Sequence, residues 1–286
     1  MLHGSIQVGD ADVFAICDVL ADFPTGLRET FPTVPEEEWP GFRKRYPGAF
    51  GDADDVWLGH DHCYLVRAPG ATVLVDTGVG PIGEGVPGIH RSGELPAGLE
   101  EIGVTPGEVD TVVFTHLHFD HVGWNLTEED GGYRPTFPKA RHVIHRKDWE
   151  VFEAGADPFS TAMFQQRVKP LEGEGLVELI DGRLDLGGGL AVEPAPGHTL
   201  GHVVLTVSSG DQRVVLAGDL VNHPAQLADF TWNEVADMDA AAATRSRAAI
   251  IGESGSDAIL APAHFPEPFG RAAKGDGRLG WTPASP

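Results

Sequence analysis

Basic residues are scarce in this chain. Lys and Arg total 20 against 43 Asp and Glu, a formal net charge of -23. Nucleic-acid binding relies on a basic footprint, and an anionic membrane surface repels an acidic protein, so neither partner is expected. Cysteine is scarcer still. Cys17 and Cys63 both sit in apolar, strand-like runs, where core thiols are expected rather than a disulfide, and neither has metal-ligand spacing. No apolar run approaches the roughly 20 residues of a membrane span. Met1-Leu2-His3-Gly4-Ser5 lacks a basic stretch followed by an apolar one, so no secretory signal is expected and a cytoplasmic location is. What remains is a globular composition, 41% apolar with many Gly and Pro turns. No linker or clean repeat divides it, so residues 1–286 read as one domain.

Residues 5–20 read as a hairpin turning near Gly9-Asp10. Residues 22–56 carry Pro24, Pro32, Pro35, Pro40 and Pro47 among many aromatics and read as neither clean helix nor strand. A long irregular segment of this kind is expected to pack on the body near a site. Strands are then predicted at His62–Arg67, Thr72–Val75, Thr111–Thr115, His142–His145, Val177–Ile180, Leu190–Pro194, His202–Val207 and Arg213–Ala217, with Ile259–Ala261 as the last. Helices are predicted at 96–102, from Lys147 to Ala154, and over Ala236–Gly252, where Asp237 or Asp239 can cap the N-terminus. Two rough halves of strand and helix imply an α/β architecture of two sheets with helices outside.

The strongest signal is Thr115-His116-Leu117-His118-Phe119-Asp120-His121, four metal-capable side chains in the pattern His-x-His-x-Asp-His. Buried together, such groups need an organiser, because an unpaired buried imidazole or carboxylate costs free energy. A zinc ion, which takes imidazole nitrogen and carboxylate oxygen at about 2.0–2.2 Å, is one. Alternate residues at a strand end point the same way, so His116 and His118 can share an ion. Asp120 and His121 follow where the chain turns and can reach a second. Pro196-Gly197-His198-Thr199-Leu200-Gly201-His202, Gly218-Asp219 and Ala261-Pro262-Ala263-His264 place further donors after strands. His202 reads as structural. His60, His62, His90, His142, His145 and His223 take no role from spacing alone.

The order Asp-x-Gly at Asp76, His-x-His-x-Asp-His, Gly-His-Thr-x-Gly-His, Gly-Asp and a late His resembles the metallo-β-lactamase-fold hydrolase superfamily, and spans Asp76 to His264, about two thirds of the chain. The resemblance implies an αββα sandwich of two mixed β-sheets flanked by helices. It implies His116, His118 and His198 on one divalent metal ion and Asp120, His121 and His264 on another. Asp219 and a hydroxide would bridge the two, and Asp76 would support the metal loops from behind. Zinc is the first expectation for the metal, with iron, manganese and cobalt as alternatives. The implied reaction is attack of the bridging hydroxide on an ester or lactone carbonyl of a small-molecule substrate, with Asp120 moving the proton.

Local detail is nearest the lactonase and methyl-parathion-hydrolase branches, through His118-Phe119-Asp120-His121-Val122-Gly123-Trp124-Asn125 and through Gly218-Asp219 followed by His223-Pro224 and Gln226. Asp237-Met238-Asp239 with Thr244-Arg245 resembles the second branch. Lactonases often carry a Tyr three residues after the bridging Asp. Here that position is Asn222, so either Asn222 or His223 substitutes as donor, or the substrate differs. Lactone or ester hydrolysis leads, and organophosphate triester hydrolysis is the alternative. The bridging Asp219 counts against a β-lactamase, and a tail of only 22 residues after His264 counts against a glyoxalase II-like thioesterase. An iron persulfide dioxygenase and a non-catalytic metal-binding scaffold rank lower still. The sequence leaves the oligomeric state open, with a homodimer the form to test first because dimers are the commonest homo-oligomers. Phe23, Phe31, Trp39, Phe42, Phe119, Trp124 and Phe230 are the aromatics weighed as pocket lining.

Overall fold

A computed structural model of the chain describes residues 2–23, 25–53, 55–81, 92–252, 257–275 and 277–284; His90 lies outside them. The first half contains strands β1 (Leu2–Val8), β2 (Ala11–Asp22), β3 (Leu58–Ala68), β4 (Ala71–Val75), β5 (Thr111–Val113), β6 (Leu126–Glu129), β7 (Gly132–Pro135), β8 (Arg141–His145) and β9 (Val177–Ile180). The second contains β10 (Leu184–Gly187), β11 (Leu190–Pro194), β12 (Val203–Ser209), β13 (Gln212–Gly218), β14 (Ile259–Pro262), β15 (Gly270–Gly275) and β16 (Arg278–Pro283). One sheet runs β1-β2-β3-β4-β5-β8-β9 and the other β10-β11-β12-β13-β14-β15-β16, while β6 and β7 form a separate hairpin. Both large sheets are mixed: β4, β5, β8 and β9 pair in parallel, as do β13 and β14.

Side-chain alternation along these strands builds the layers. Tyr64, Val66, Val73, Val75 and Val113 of the first sheet meet Val203, Leu205, Val214, Leu216 and Ala261 of the second in a central core. The intervening residues face outward. Cys63, Leu65, Leu74 and Val112 pack against Leu95, Leu99, Trp149 and Phe152. These come from helices α3 (Leu95–Glu101) and α4 (Arg146–Glu153). Val204, Val215, Ala217 and Leu260 pack under Leu27, Phe31, Trp39 and Phe42. The result is the expected αββα sandwich. No helix among the described residues is long and apolar enough to cross a membrane.

Segment 22–56 is more ordered than its prolines suggest. It forms α1 (Leu27–Thr30) and a seven-residue helix, α2 (Trp39–Arg45), with Pro40 in the first turn, where its missing N–H costs nothing. Its aromatics Phe31, Trp39 and Phe42 enter the outer core and are not among the residues that line the cleft over the His and Asp donors. The short helices α5 (Pro158–Met163) and α6 (Pro170–Gly173) follow α4. The last long helix begins later than expected: α7 is Ala240–Arg247, capped by Asp239, whose carboxylate accepts the Ala242 N–H at 2.9 Å. Ile259–Ala261 is not the last strand, since β15 and β16 complete the second sheet. The Gly-Arg-Ala-Ala-Lys-Gly sequence of β15 carries little β-propensity, and pairing with β16 holds it in place.

Candidate metal centre

Four strand ends of parallel pairs point to one edge of the sandwich. Asp76 follows β4, residues 115–121 follow β5, Asp219 follows β13, and His264 lies just beyond β14. The carboxyl ends of parallel strands are where an open sheet leaves a crevice. His198 arrives from the loop after β11. Two hydrogen bonds tie the sheets together at this edge, from Val203 N to Thr115 O at 2.8 Å and from His62 N to Ala263 O at 3.0 Å.

The donors fall into two groups. His116, His118, His198 and Asp219 form one, and Asp120, His121 and His264 the other; within each, the ligand atoms lie within 4.8 Å of one another. Asp219 stands between them. Its Oδ1 is 3.3 Å from both His121 Nε2 and His264 Nε2, and its Oδ2 is 3.3 Å from His198 Nε2 and 3.8 Å from His116 Nε2. Asp120 Oδ2 lies 3.7 Å from His121 Nε2 and 3.5 Å from His264 Nε2.

Partners behind the imidazoles select which nitrogen faces inward. His121 Nδ1 lies 2.8 Å from Asp76 Oδ2, which also accepts the Thr115 hydroxyl, while Asp76 Oδ1 accepts the Thr115 N–H. Asp76 holds a left-handed backbone, φ 59°, tolerable for Asp and bracketed by this three-way grip. Thr115 Oγ1 is 3.1 Å from His116 Nδ1, Asp237 Oδ1 is 3.1 Å from His198 Nδ1, and the His60 carbonyl is 3.0 Å from His264 Nδ1. Arg247, almost fully buried, pairs with Asp237 Oδ2 at 2.8 Å.

This arrangement fits a cation. With Nδ1–H of His116 and His198 already donated, both Nε2 lone pairs aim at His118 Nδ1, at 3.0 and 2.9 Å. One ring nitrogen can satisfy at most one of them. His121 Nε2 and Asp219 Oδ1 are likewise buried without a hydrogen-bond partner. The electrostatics agree. Burial works against the charged forms, yet His264 and His121 hold the Asp219 carboxyl well below its usual range, and Asp219 with Asp120 lifts His264 to about 10.

A cleft of about 530 Å³ opens over these donors. Phe23, Trp57, Phe119, Phe159, Val235 and Met238 form its apolar wall, Asp120, Asp219, Glu234 and Asp237 its acidic floor, and no Lys or Arg is among its described lining residues. Phe23 stacks on Trp57 at 3.9 Å, and both rings meet His264 edge-on. A larger groove lined by Arg183, Glu193, Arg213 and Gly187–Gly189 lies along β10–β13 and contains no imidazole.

Neither expected substitute donor lines the cleft. Asn222 Nδ2 donates to the Glu234 carboxylate, which does line it. The His223 ring turns into Phe31, Trp39 and Phe50, its Nδ1 accepts the Ala225 N–H, and burial lowers it to about 3. Trp124 reaches Asp18 instead, at 2.9 Å. His202 accepts the Asp219 N–H at 3.2 Å. Asp237 and Asp61 take no role in the centre from the sequence alone; Asp61 is a buried acid raised well above the usual carboxylate range by burial and by Asp120.

Residues 56–264 match the family described as the metallo-beta-lactamase superfamily. A probable metallo-hydrolase of Mycobacterium tuberculosis is 29% identical over 193 residues, 58% of this chain and 58% of that protein. An N-acyl homoserine lactonase of Bacillus cereus is 24% identical over 168 residues, 54% of this chain and 60% of its own length. The chain thus spans little more than half the length of the curated relatives it matches. Among solved structures, AidC, a dizinc quorum-quenching lactonase in complex with a product, superposes with a TM-score of 0.80 at 22% identity, covering 99% of this chain and 97% of that one. The hydrolase AbOPH superposes with a TM-score of 0.81 at 22% identity, covering 98% and 97%.

Proposed function

Since the chain belongs to the metallo-beta-lactamase superfamily, we propose that it is a dinuclear-metal hydrolase of neutral carboxylic esters, with lactones the leading substrate class. The observation that carries this reading is the Asp219 carboxylate, which turns one oxygen to each donor group. His116, His118 and His198 would hold one ion, Asp120, His121 and His264 the other, and Asp219 both. Two such ions, zinc by donor type, would supply an acidified water and a Lewis acid for the carbonyl oxygen. The chain's own groups do the rest. Asp120, at the cleft floor, takes the proton from the attacking water and passes it to the leaving oxygen as the acyl C–O bond breaks. Phe23, Trp57 and Phe119 hold an apolar acyl arm and exclude water. Asn222 acts as a positioning residue, through Glu234.

Substrate charge supports the ester reading. A cleft with an acidic floor and no Lys or Arg among its described lining residues disfavours an anionic substrate such as a glutathione thioester. A neutral phosphotriester meets the same condition and is the second reading. A panel of N-acyl lactones, aryl esters, paraoxon-type triesters and acyl thioesters separates them. Lactone or ester turnover that disappears on chelation and returns with metal is the expected result, and turnover of thioesters alone would overturn it. Asp219→Ala is expected to lose metal and at least a hundredfold in kcat together. A variant that keeps two ions and full turnover contradicts the assignment.

A further inference from the structure

A second cluster of donors lies on β1, β2 and β3, apart from the seven-donor centre. His3, Cys17, His60 and His62 each offer one ligand atom, and these four atoms all lie within 4.8 Å of one another. Strand register assembles them. His60 and His62 alternate along β3 and share its face, and Cys17 sits directly opposite His62 on β2. A bulge between Leu2 and Gly4 makes His3 the extra residue of β1. Bulges of this kind re-aim a side chain. Another bulge, between Cys17 and Val19, lies beside it.

The hydrogen bonds follow the pattern of the centre already described. His62 Nδ1 lies 3.0 Å from the Ala263 carbonyl, which turns its Nε2 toward His3 Nδ1 at 2.9 Å. That spacing matches the 3.0 Å between His116 and His118. His60 Nε2 lies 3.1 Å from the Gly48 carbonyl, and its Nδ1 is buried with no hydrogen-bond partner. Imidazoles that ligate a metal commonly donate the other N–H to a backbone carbonyl in this manner. Burial lowers His60 to about 4 and holds His62 well below the usual imidazole range, so both are neutral and able to ligate near pH 7. Burial and the Asp61 charge push the Cys17 thiol up to about 12. His3 is exposed and leaves a path from solvent.

We propose that His3, Cys17, His60 and His62 form a mononuclear site for zinc or a similarly borderline-soft divalent ion. Three imidazoles and one thiolate are a four-coordinate zinc donor set. Binding exchanges the Cys17 S–H bond for S–metal, with the proton released to solvent and the imidazoles entering neutral. The ion would fasten the edge strand β1 to β2 and β3.

Cobalt(II) loading of the full chain tests this. The seven-donor centre offers only nitrogen and oxygen, so a near-ultraviolet thiolate-to-cobalt charge-transfer band reports the new site alone. The wild-type protein is expected to show the band and to hold one ion more per chain than the Cys17→Ser variant by elemental analysis. His3→Ala, a change at an exposed position, is expected to lose the same ion and the same band with an unchanged circular dichroism spectrum. Absence of the band in loaded wild-type protein, or its persistence in Cys17→Ser, overturns the proposal. The readout is independent of the hydrolase reading, since a chain deficient in the other two ions still gives the thiolate band.

Discussion

Asp76 accepts from the Thr115 backbone, the Thr115 hydroxyl and His121 at once. Replacing it by Asn keeps its shape but puts an NH2 group where one of those acceptors stood, so the His121 ring loses its anchor. Asp76→Asn is expected to weaken metal binding by about 10–100-fold while the fold persists. Competition against a chromophoric chelator measures it, and unchanged affinity would remove Asp76 from the supporting set. At this scale the sequence was highly legible where donors are close in the chain, as at 116–121, because strand alternation and one turn are enough to group them. Asp237 and Asp61 were not, since a lone acid carries no spacing and acquires its meaning only beside His198 or Asp120 in three dimensions. Asn222 and His223 were misplaced as substrate donors for the same reason. Their neighbourhood depends on how segment 22–56 packs, and Phe31, Trp39 and Phe50 claim the His223 ring.

Between elements, the contact of the His198 loop with α7 is the sensitive one. A Cβ on Gly197 would lie 2.1 Å from Ala243 N, and Gly197 has φ 146°. Asp239, which caps the same helix, is the control. Asp239→Ala is expected to cost about 1 kcal/mol in urea unfolding and leave metal content intact. Gly197→Ala is expected to cost more and to weaken metal binding as well, because the loop must lift with His198 on it. Equal effects from the two variants would show that the close approach does not position the loop. Strands are legible in the sequence where branched and apolar residues alternate or run together, as at Val177–Ile180 and Leu190–Pro194, whose bounds agree with the observed strands. β15 is not legible in this way, because its small and polar residues form a strand only by pairing with β14 on one side and β16 on the other.

For the molecule as a whole, buried acids set a pH dependence. Burial raises Asp18 to about 6 although its carboxylate accepts from Leu95 N, Trp124 Nε1 and Val79 N. The unfolded chain holds Asp18 near the ordinary aspartate value of 3.8, so the folded state binds the extra proton between the two values. This contribution to stability is full below pH 4 or so and is lost as pH rises toward about 6. Asp18→Asn does not titrate. The stability of wild type relative to this variant is therefore expected to fall across that window and to level off above it. A constant difference from pH 4 to 7 would contradict the assignment.

The two sheets divide the donors between them: residues 116–121 extend from the first, while His198, Asp219 and His264 belong to the second. This division has a kinetic consequence. Neither half can hold both ions until the sheets have docked, and docking closes a long loop whose entropy is lost before the contacts form. Metal capture therefore falls after the rate-limiting step of folding. Stopped-flow chevrons of the Cys17→Ser variant, which keeps only the two-sheet centre, should share a refolding limb with and without zinc, while the unfolding limb moves down by the full binding free energy. Faster refolding with metal would instead place the docked edge, with its donors already assembled, in the transition state.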